Sequence, residues 1–241
     1  MTVFKFLIVA SLCYCTYAMD LPSYIQKCHV EDPNVKDCVI NSANGAIPQI
    51  VEGVPAFGIP LLDPFVGLTA DIESAHLKLH VKNMNVSGLR QARLKDFSMK
   101  FEEGDFNFTV HLPKIILQGD YTVGGRILVV PIKGEGPMYL ETDDAIFNVN
   151  LKCAFIDKRG TEYMDCKTQK VDFVVKKGYV ELSNLFGNSD ISKETNKVLN
   201  QNFVEVIKEL APSISDTVRA VADLIIQRFF DKASTNEIFI K

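Results

Sequence analysis

Ten apolar residues near the C-terminus, Leu199, Phe203, Val206, Ile207, Leu210, Ile214, Val218, Val221, Ile225 and Phe229, recur mostly three or four positions apart. That spacing lines one face of a helix. Lys197, Glu205, Lys208, Glu209, Asp216, Arg219, Asp223 and Arg228 fall mostly off it. A helix over residues 192–230 would be about 58 Å long at 1.5 Å per residue. A compact domain of this chain length is only about 44 Å across. Either the body is elongated or the helix bends, and Pro212, which removes a backbone hydrogen bond, is the expected bend. An apolar face of this length is buried only by a sheet that curls along it.

Upstream, the period is two. Leu77, Leu79 and Val81 alternate with His76, Lys78 and His80, and Phe106, Phe108, Val110 and Leu112 alternate likewise. The same holds for Phe147, Val149, Leu151, Cys153 and Phe155, and for Val171, Phe173 and Val175. Turn signals punctuate these runs at Ser87-Gly88, Glu103-Gly104-Asp105, Gly119-Asp120, Gly124-Gly125, Arg159-Gly160 and Lys177-Gly178. Short connections join antiparallel neighbours, so the middle of the chain reads as an antiparallel meander. Before it, Val35, Cys38, Val39, Ala46 and Ile50 follow a helical spacing. The stretch VEGVPAFGIPLLDPFVG then follows, apolar but too broken by Pro and Gly for a regular element.

The first residues read as a secretory leader. Lys5 supplies the positive charge, residues 6–14 the short apolar run, and Thr16 and Ala18 the small residues before a cleavage site. Cleavage after Ala18 leaves residues 19–241 as one domain, secreted and extracellular. No Pro-free apolar run reaches the ~18 residues that a membrane span needs.

Six cysteines become four once Cys13 and Cys15 leave with the leader. Cys28 and Cys38 close a short loop. Cys153 and Cys166 sit symmetrically about Arg159-Gly160, so a hairpin turning there opposes them within disulfide reach. Zinc is the competing reading, but neither pair has C-x2-C spacing and no histidines gather beside them. The pairs Cys28–Cys38 and Cys153–Cys166 are expected. Asn85-Val-Ser and Asn107-Phe-Thr are glycosylation acceptors in a secreted chain.

With 47% hydrophobic residues the chain is not disordered, and a formal charge of −4 argues against a nucleic-acid partner. Motifs for a serine nucleophile elbow, a zinc protease, a phosphate loop and an EF-hand are absent from the sequence. His76 and His80 flank Lys78 on the polar face of a strand, where a cation repels a metal. Asp143-Asp144 reads as a turn, and Gly134-Glu-Gly136 lacks the third glycine of a dinucleotide loop. No enzyme, metal or cofactor is expected.

A twisted sheet around one long helix leaves two outcomes open, a filled core or an apolar tunnel. Further motifs narrow the choice: Gly58-Ile-Pro60 with Asp63-Pro64, Val86-Ser-Gly88-Leu89, Tyr121-Thr-Val-Gly-Gly-Arg126-Ile-Leu-Val-Val-Pro131-Ile-Lys-Gly134, Leu185-Phe186-Gly187, and Leu199-Asn200-Gln-Asn202-Phe203 leading to Pro212. In this order, behind the Cys28/Cys38 pair, they resemble the takeout and juvenile-hormone-binding protein family of secreted insect proteins. The resemblance implies an α+β, TULIP-type fold, a long bent C-terminal helix wrapped by a curved antiparallel sheet. It also implies a tunnel for an elongated hydrophobic small-molecule ligand, a terpenoid hormone or fatty-acid-like lipid. The local Cys153/Cys166 pair departs from the sheet-to-helix bridge of the true juvenile-hormone carriers, which tilts the resemblance toward the takeout-like branch.

The expected tunnel wall takes Phe203, Ile207, Ile214 and Val218 from the helix and Phe57, Ile59 and Phe65 from the broken segment. The functional expectation is a non-catalytic, monomeric carrier. The alternative is an extracellular protein acting through a receptor or membrane surface, with the tunnel secondary.

Overall fold

The computed structural model describes residues 20–241, so the leader expected at residues 1–18 lies outside the described part. The helix expected from the spacing of Val35 to Ile50 is α1 (Val35–Ile50), following a two-residue strand β1 (Cys28–His29). Then come β2 (Phe65–Glu73), β3 (Leu77–Ser87), β4 (Arg93–Lys100), β5 (Asp105–Ile127), β6 (Val130–Lys158), β7 (Thr161–Val174) and β8 (Lys177–Leu182). The chain closes with α2 (Ser189–Gln201), α3 (Phe203–Phe230), α4 (Thr235–Ile238) and β9 (Phe239–Ile240), the last parallel to β1.

Strands β2 to β8 form one seven-stranded sheet in which all pairings are antiparallel. Its spine is the ribbon of β5 and β6, paired from Asp105↔Lys152 to Ile127↔Val130. At about 3.3 Å per residue such a ribbon runs roughly 75 Å before curvature, so the body is elongated. Along β5, β4 occupies one edge near the start and β3 the same edge further on. Along β6, β8 and then β7 do the same.

The ribbon corrects three expected turns. Gly119-Asp120 and Gly124-Gly125 lie within β5, opposite Met138, Pro137, Lys133 and Ile132. At Gly119 and Gly125 glycine stands because neighbouring backbone comes close. A Cβ on Gly119 would meet the Lys82 carbonyl at 3.0 Å, and Gly125, at φ 129°, lies against the His76 carbonyl. Lys177-Gly178 opens β8, where the Phe203 ring occupies the space a Cβ would need. Asp143-Asp144 is also mid-strand, with Asp143 opposite Lys114 and Asp144 at φ 52°. The broken apolar segment becomes regular earlier than expected, as a 3-10 turn at Pro55–Phe57 and then β2 from Phe65.

The C-terminal helix is divided at a point sequence reading did not mark. Asn202, at φ −119° and ψ 28°, interrupts it between α2 and α3, while Pro212 sits inside α3. Asparagines dock the helices on free strand edges, where unpaired backbone groups would otherwise remain. Asn196 bonds both the amide and the carbonyl of Leu182 at 2.9 Å, and Asn200 does so for Val180 at 2.8 Å. On α1, Asn44 holds Leu94 in the same two-way manner.

Two cores follow. One gathers Tyr121, Ile132, Leu185, Phe203, Val206, Ile207 and Leu210 where β2, β3 and β8 meet α2 and the start of α3. The other gathers Phe97, Phe106, Cys153, Met164, Cys166 and Phe239 at the opposite end of the ribbon.

Candidate functional site

The 28 residues of α3 run about 42 Å and change character along the way. Phe203, Val206, Ile207 and Leu210 are buried, whereas Ile214, Val218, Val221, Ile225 and Ile226 on the continuing apolar face are only half-buried. Polar contacts at its flanks hold the helix on the sheet. Leu128 N–H donates to Glu209 at 2.6 Å, Ser213 Oγ to the Glu73 carbonyl at 2.9 Å, and Thr168 N–H to Asp223 at 2.6 Å. Arg228 donates to the Gly58 carbonyl at 2.7 Å.

Where the half-buried face ends, an apolar cavity of about 280 Å³ opens between α1, the last turns of α3 and the paired strands β1 and β9. Val39, Ala43 and Ala46 of α1 face Ile225, Ile226 and Phe229 of α3, and Ile59 adds to the wall. Gln26 and Ser42 are its polar lining residues. The Gln26 amide donates to Ser42 Oγ and Ser42 Oγ donates back to the Gln26 carbonyl, both at 2.9 Å. Among the described residues no ionisable side chain lines this space. It therefore suits apolar or uncharged matter, because an unpaired ion there would lose its hydration without compensation. A wider depression of about 420 Å³ at Val30, Glu31, Lys100, Phe101, Glu102 and Glu103 is ringed by carboxylates and does not suit an apolar chain.

The seven residues expected to line a tunnel fall into separate groups. Phe203 and Ile207 lie in the packed cluster with Leu199 and Leu210, and Ile214 is packed against its edge. Phe57 and Ile59 form another cluster with Val51, Leu62 and Ala233, and Phe65 packs against it. Ile59 reaches the cavity, and Val218 is half-buried on α3. The α1 residues of the cavity escaped sequence reasoning, although the apolar recurrence that identified α1 includes Val39 and Ala46.

Cys28 and Cys38 are bonded with Cα atoms 5.9 Å apart, tying β1 to α1 at the cavity, where Cys28 is a lining residue. Cys153 and Cys166 are bonded across the β6–β7 ladder, directly opposed in register. Asn85 and Asn107 are both exposed, and Asn107 Oδ1 accepts a hydrogen bond from Asn150 at 2.9 Å. His76 and His80 are exposed too, with His80 Nδ1 2.6 Å from Asp71. Among the described residues no cluster of three or more His, Cys, Asp or Glu could hold a metal ion, and no helix is long and apolar enough to cross a membrane.

Comparison with known proteins places this geometry. The crystal structure of Epiphyas postvittana Takeout 1 superposes with a TM-score of 0.80 at 26% identity, covering 90% of this chain and all of that one. The circadian clock-controlled protein daywake of Drosophila melanogaster is 24% identical over 234 residues, 91% of this chain and 88% of its own. A putative beta-carotene-binding protein of Schistocerca gregaria is 24% identical over 129 residues, 53% of this chain and 52% of its own. The model of the haemolymph juvenile hormone binding protein family matches residues 6–240. The fold is thus that of a takeout protein, and the chain belongs to the haemolymph juvenile hormone binding protein family, a family of binding proteins.

Proposed function

We propose that residues 19–241, freed of a leader at residues 1–18, form a secreted, monomeric and non-catalytic carrier for an elongated hydrophobic ligand. The observation that carries this reading is the cavity without an ionisable lining residue, set at the end of the half-buried apolar face of α3. A ligand entering the cavity would continue along Val221, Val218 and Ile214 toward the packed cluster at Phe203. Its buried part is uncharged, which favours a terpenoid, an ester or a carotenoid-like chain; a free carboxylate would have to stay at the rim. The name of the Schistocerca relative agrees with such a hydrocarbon cargo.

About 15 buried carbons would gain at most roughly 12 kcal/mol at 0.8 kcal/mol per methylene. Association and ordering remove several of these, which leaves a dissociation constant between micromolar and nanomolar. Native mass spectrometry of the secreted protein should show a co-purifying lipid, lost on delipidation and regained with a neutral long-chain ligand. Failure of the delipidated protein to take up any neutral or acidic lipid defeats the carrier reading. A serine-directed activity probe should label nothing, and a labelled serine would refute the non-catalytic part.

A further inference from the structure

The hairpin between β5 and β6 turns through Leu128 and Val129, closed by the pair Ile127↔Val130. A two-residue hairpin turn in which only the first central residue has positive φ favours glycine there, because a left-handed residue with a bulky side chain crowds its own backbone. Here Leu128 has φ 52°. Leu128 is 39% exposed and Val129 86%. The neighbouring turn breaks the same rule, with Phe186 at φ 55° and 41% exposed. The two turns adjoin, since Phe186 N–H donates to the Lys133 carbonyl at 2.8 Å and Leu185 bridges Gly134.

Among the described residues, the other non-glycine residues at positive φ are Asn83, Asp144, Arg159 and Asn184, all polar. Only at this end do apolar side chains hold that conformation, and they point to solvent. The core beneath does not need them, being filled by Ile127, Ile132 and Leu185. Strained backbone that presents apolar groups outward is a mark of a contact surface.

Charge indicates what it contacts. Arg126 and Lys133 are exposed on the outward face of the same hairpin, opposite Pro131 and Gly124, and alternate with the buried Ile127 and Ile132. Neither has an ion-pair partner among the described residues; Lys78, Lys82 and Lys95 elsewhere on the sheet have none either, so what sets these two cations apart is their place beside the apolar tip. The nearby Glu209 carboxylate is engaged by the Leu128 amide.

We propose that this tip docks on an anionic phospholipid surface. Leu128, Val129 and Phe186 enter the interfacial layer, and Arg126 and Lys133 meet headgroup phosphates. The formal charge of −4 offers no long-range attraction, so docking depends on the tip itself. Glu209 at the tip and Ile225 at the cavity lie about 24 Å apart along α3, so the docking surface is distinct from the cavity mouth.

Flotation of the full secreted chain with phosphatidylcholine–phosphatidylserine vesicles tests this. The wild type should float with them and not with phosphatidylcholine alone. Leu128→Gly with Val129→Asn puts glycine at the positive-φ position and a polar turn residue after it, so melting should hold or rise while vesicle affinity falls about tenfold or more. Should that variant melt lower, Arg126→Glu with Lys133→Glu, which leaves the turn untouched, decides, and should also lose vesicles. Docking is overturned if the wild type stays with buffer, floats equally with neutral vesicles, or floats no better than the charge-reversed variant. It is also overturned if the tip variants abolish only a concentration-dependent dimer in sedimentation, which would make the tip an interface between copies.

Discussion

The ring of Phe57 stacks on that of Phe229, with centroids 5.3 Å apart and planes inclined by 24°. The contact joins the Pro- and Gly-broken segment to the last turn of α3, next to the cavity that Phe229 helps to line. Phe57 is itself buried and outside the cavity wall, so it acts by supporting its neighbour. Phe57→Ala should cost about 3–5 kcal/mol of stability and weaken ligand binding together with it. Denaturant unfolding beside a fluorescent-lipid competition assay would show both losses; binding unchanged in a destabilised variant would remove Phe57 from the site's support.

Ala46 lines the cavity from α1 and is 2% exposed. Ala46→Phe should fill the empty volume, lowering affinity for a long neutral lipid about tenfold or more while melting stays near wild type. The matching change in the packed cluster behaves differently. Phe203→Ala empties the space over Gly178 and should cost about 3–5 kcal/mol, seen in thermal melts.

Asn200 satisfies both backbone groups of Val180 and also donates to the Asn196 carbonyl. Replacing it by Ala leaves a half-buried strand edge unpaired, at about 1–3 kcal/mol. Hydrogen exchange should reveal faster opening of β8 and α2, with the α1 end unaffected.

Pro212 sits in α3 without ending it. Pro212→Ala restores a helix donor and should raise the melting temperature with ligand affinity preserved. A drop in affinity would show that Pro212 shapes the ligand path.

Asp144 is held below the usual carboxylate range, first by its hydrogen bond with His111 and then by Lys176. Its oxygens lie 3.0 Å from His111 Nε2 and 3.2 Å from Lys176 Nζ. A depressed folded value means that this contribution is present above the ordinary carboxylate pKa of about 3.9 and is lost as pH falls through the lower folded value. Melting curves between neutral pH and about pH 3 should fall at the acid end. The fall should be shallower in Asp144→Asn, and small in both, because the groups are partly exposed.

Part of the architecture is written in local pattern. The helical spacing from Val35 to Ile50, the alternation around Phe106 and Phe147, and the symmetry of Cys153 and Cys166 about Arg159-Gly160 each depend on residues close in the chain. Periodicity reports such local geometry directly. Glycine misleads it: at Gly119 and Gly125 the residue that normally marks a turn lies within a strand, where the Lys82 carbonyl of β3 or the His76 carbonyl just before β3 comes close.

From the sequence itself came the α+β division, the antiparallel meander, the apolar face of the C-terminal helix and the family resemblance. Tertiary structure decided the break at Asn202, the docking of Asn44, Asn196 and Asn200 on strand edges, and the place of the cavity between α1 and α3. Polarity along a chain records which side chains avoid water. Whether they meet one another, as Phe203 and Ile207 do, or stop short and leave a space, as Ala46 and Ile225 do, depends on distances between elements far apart in sequence.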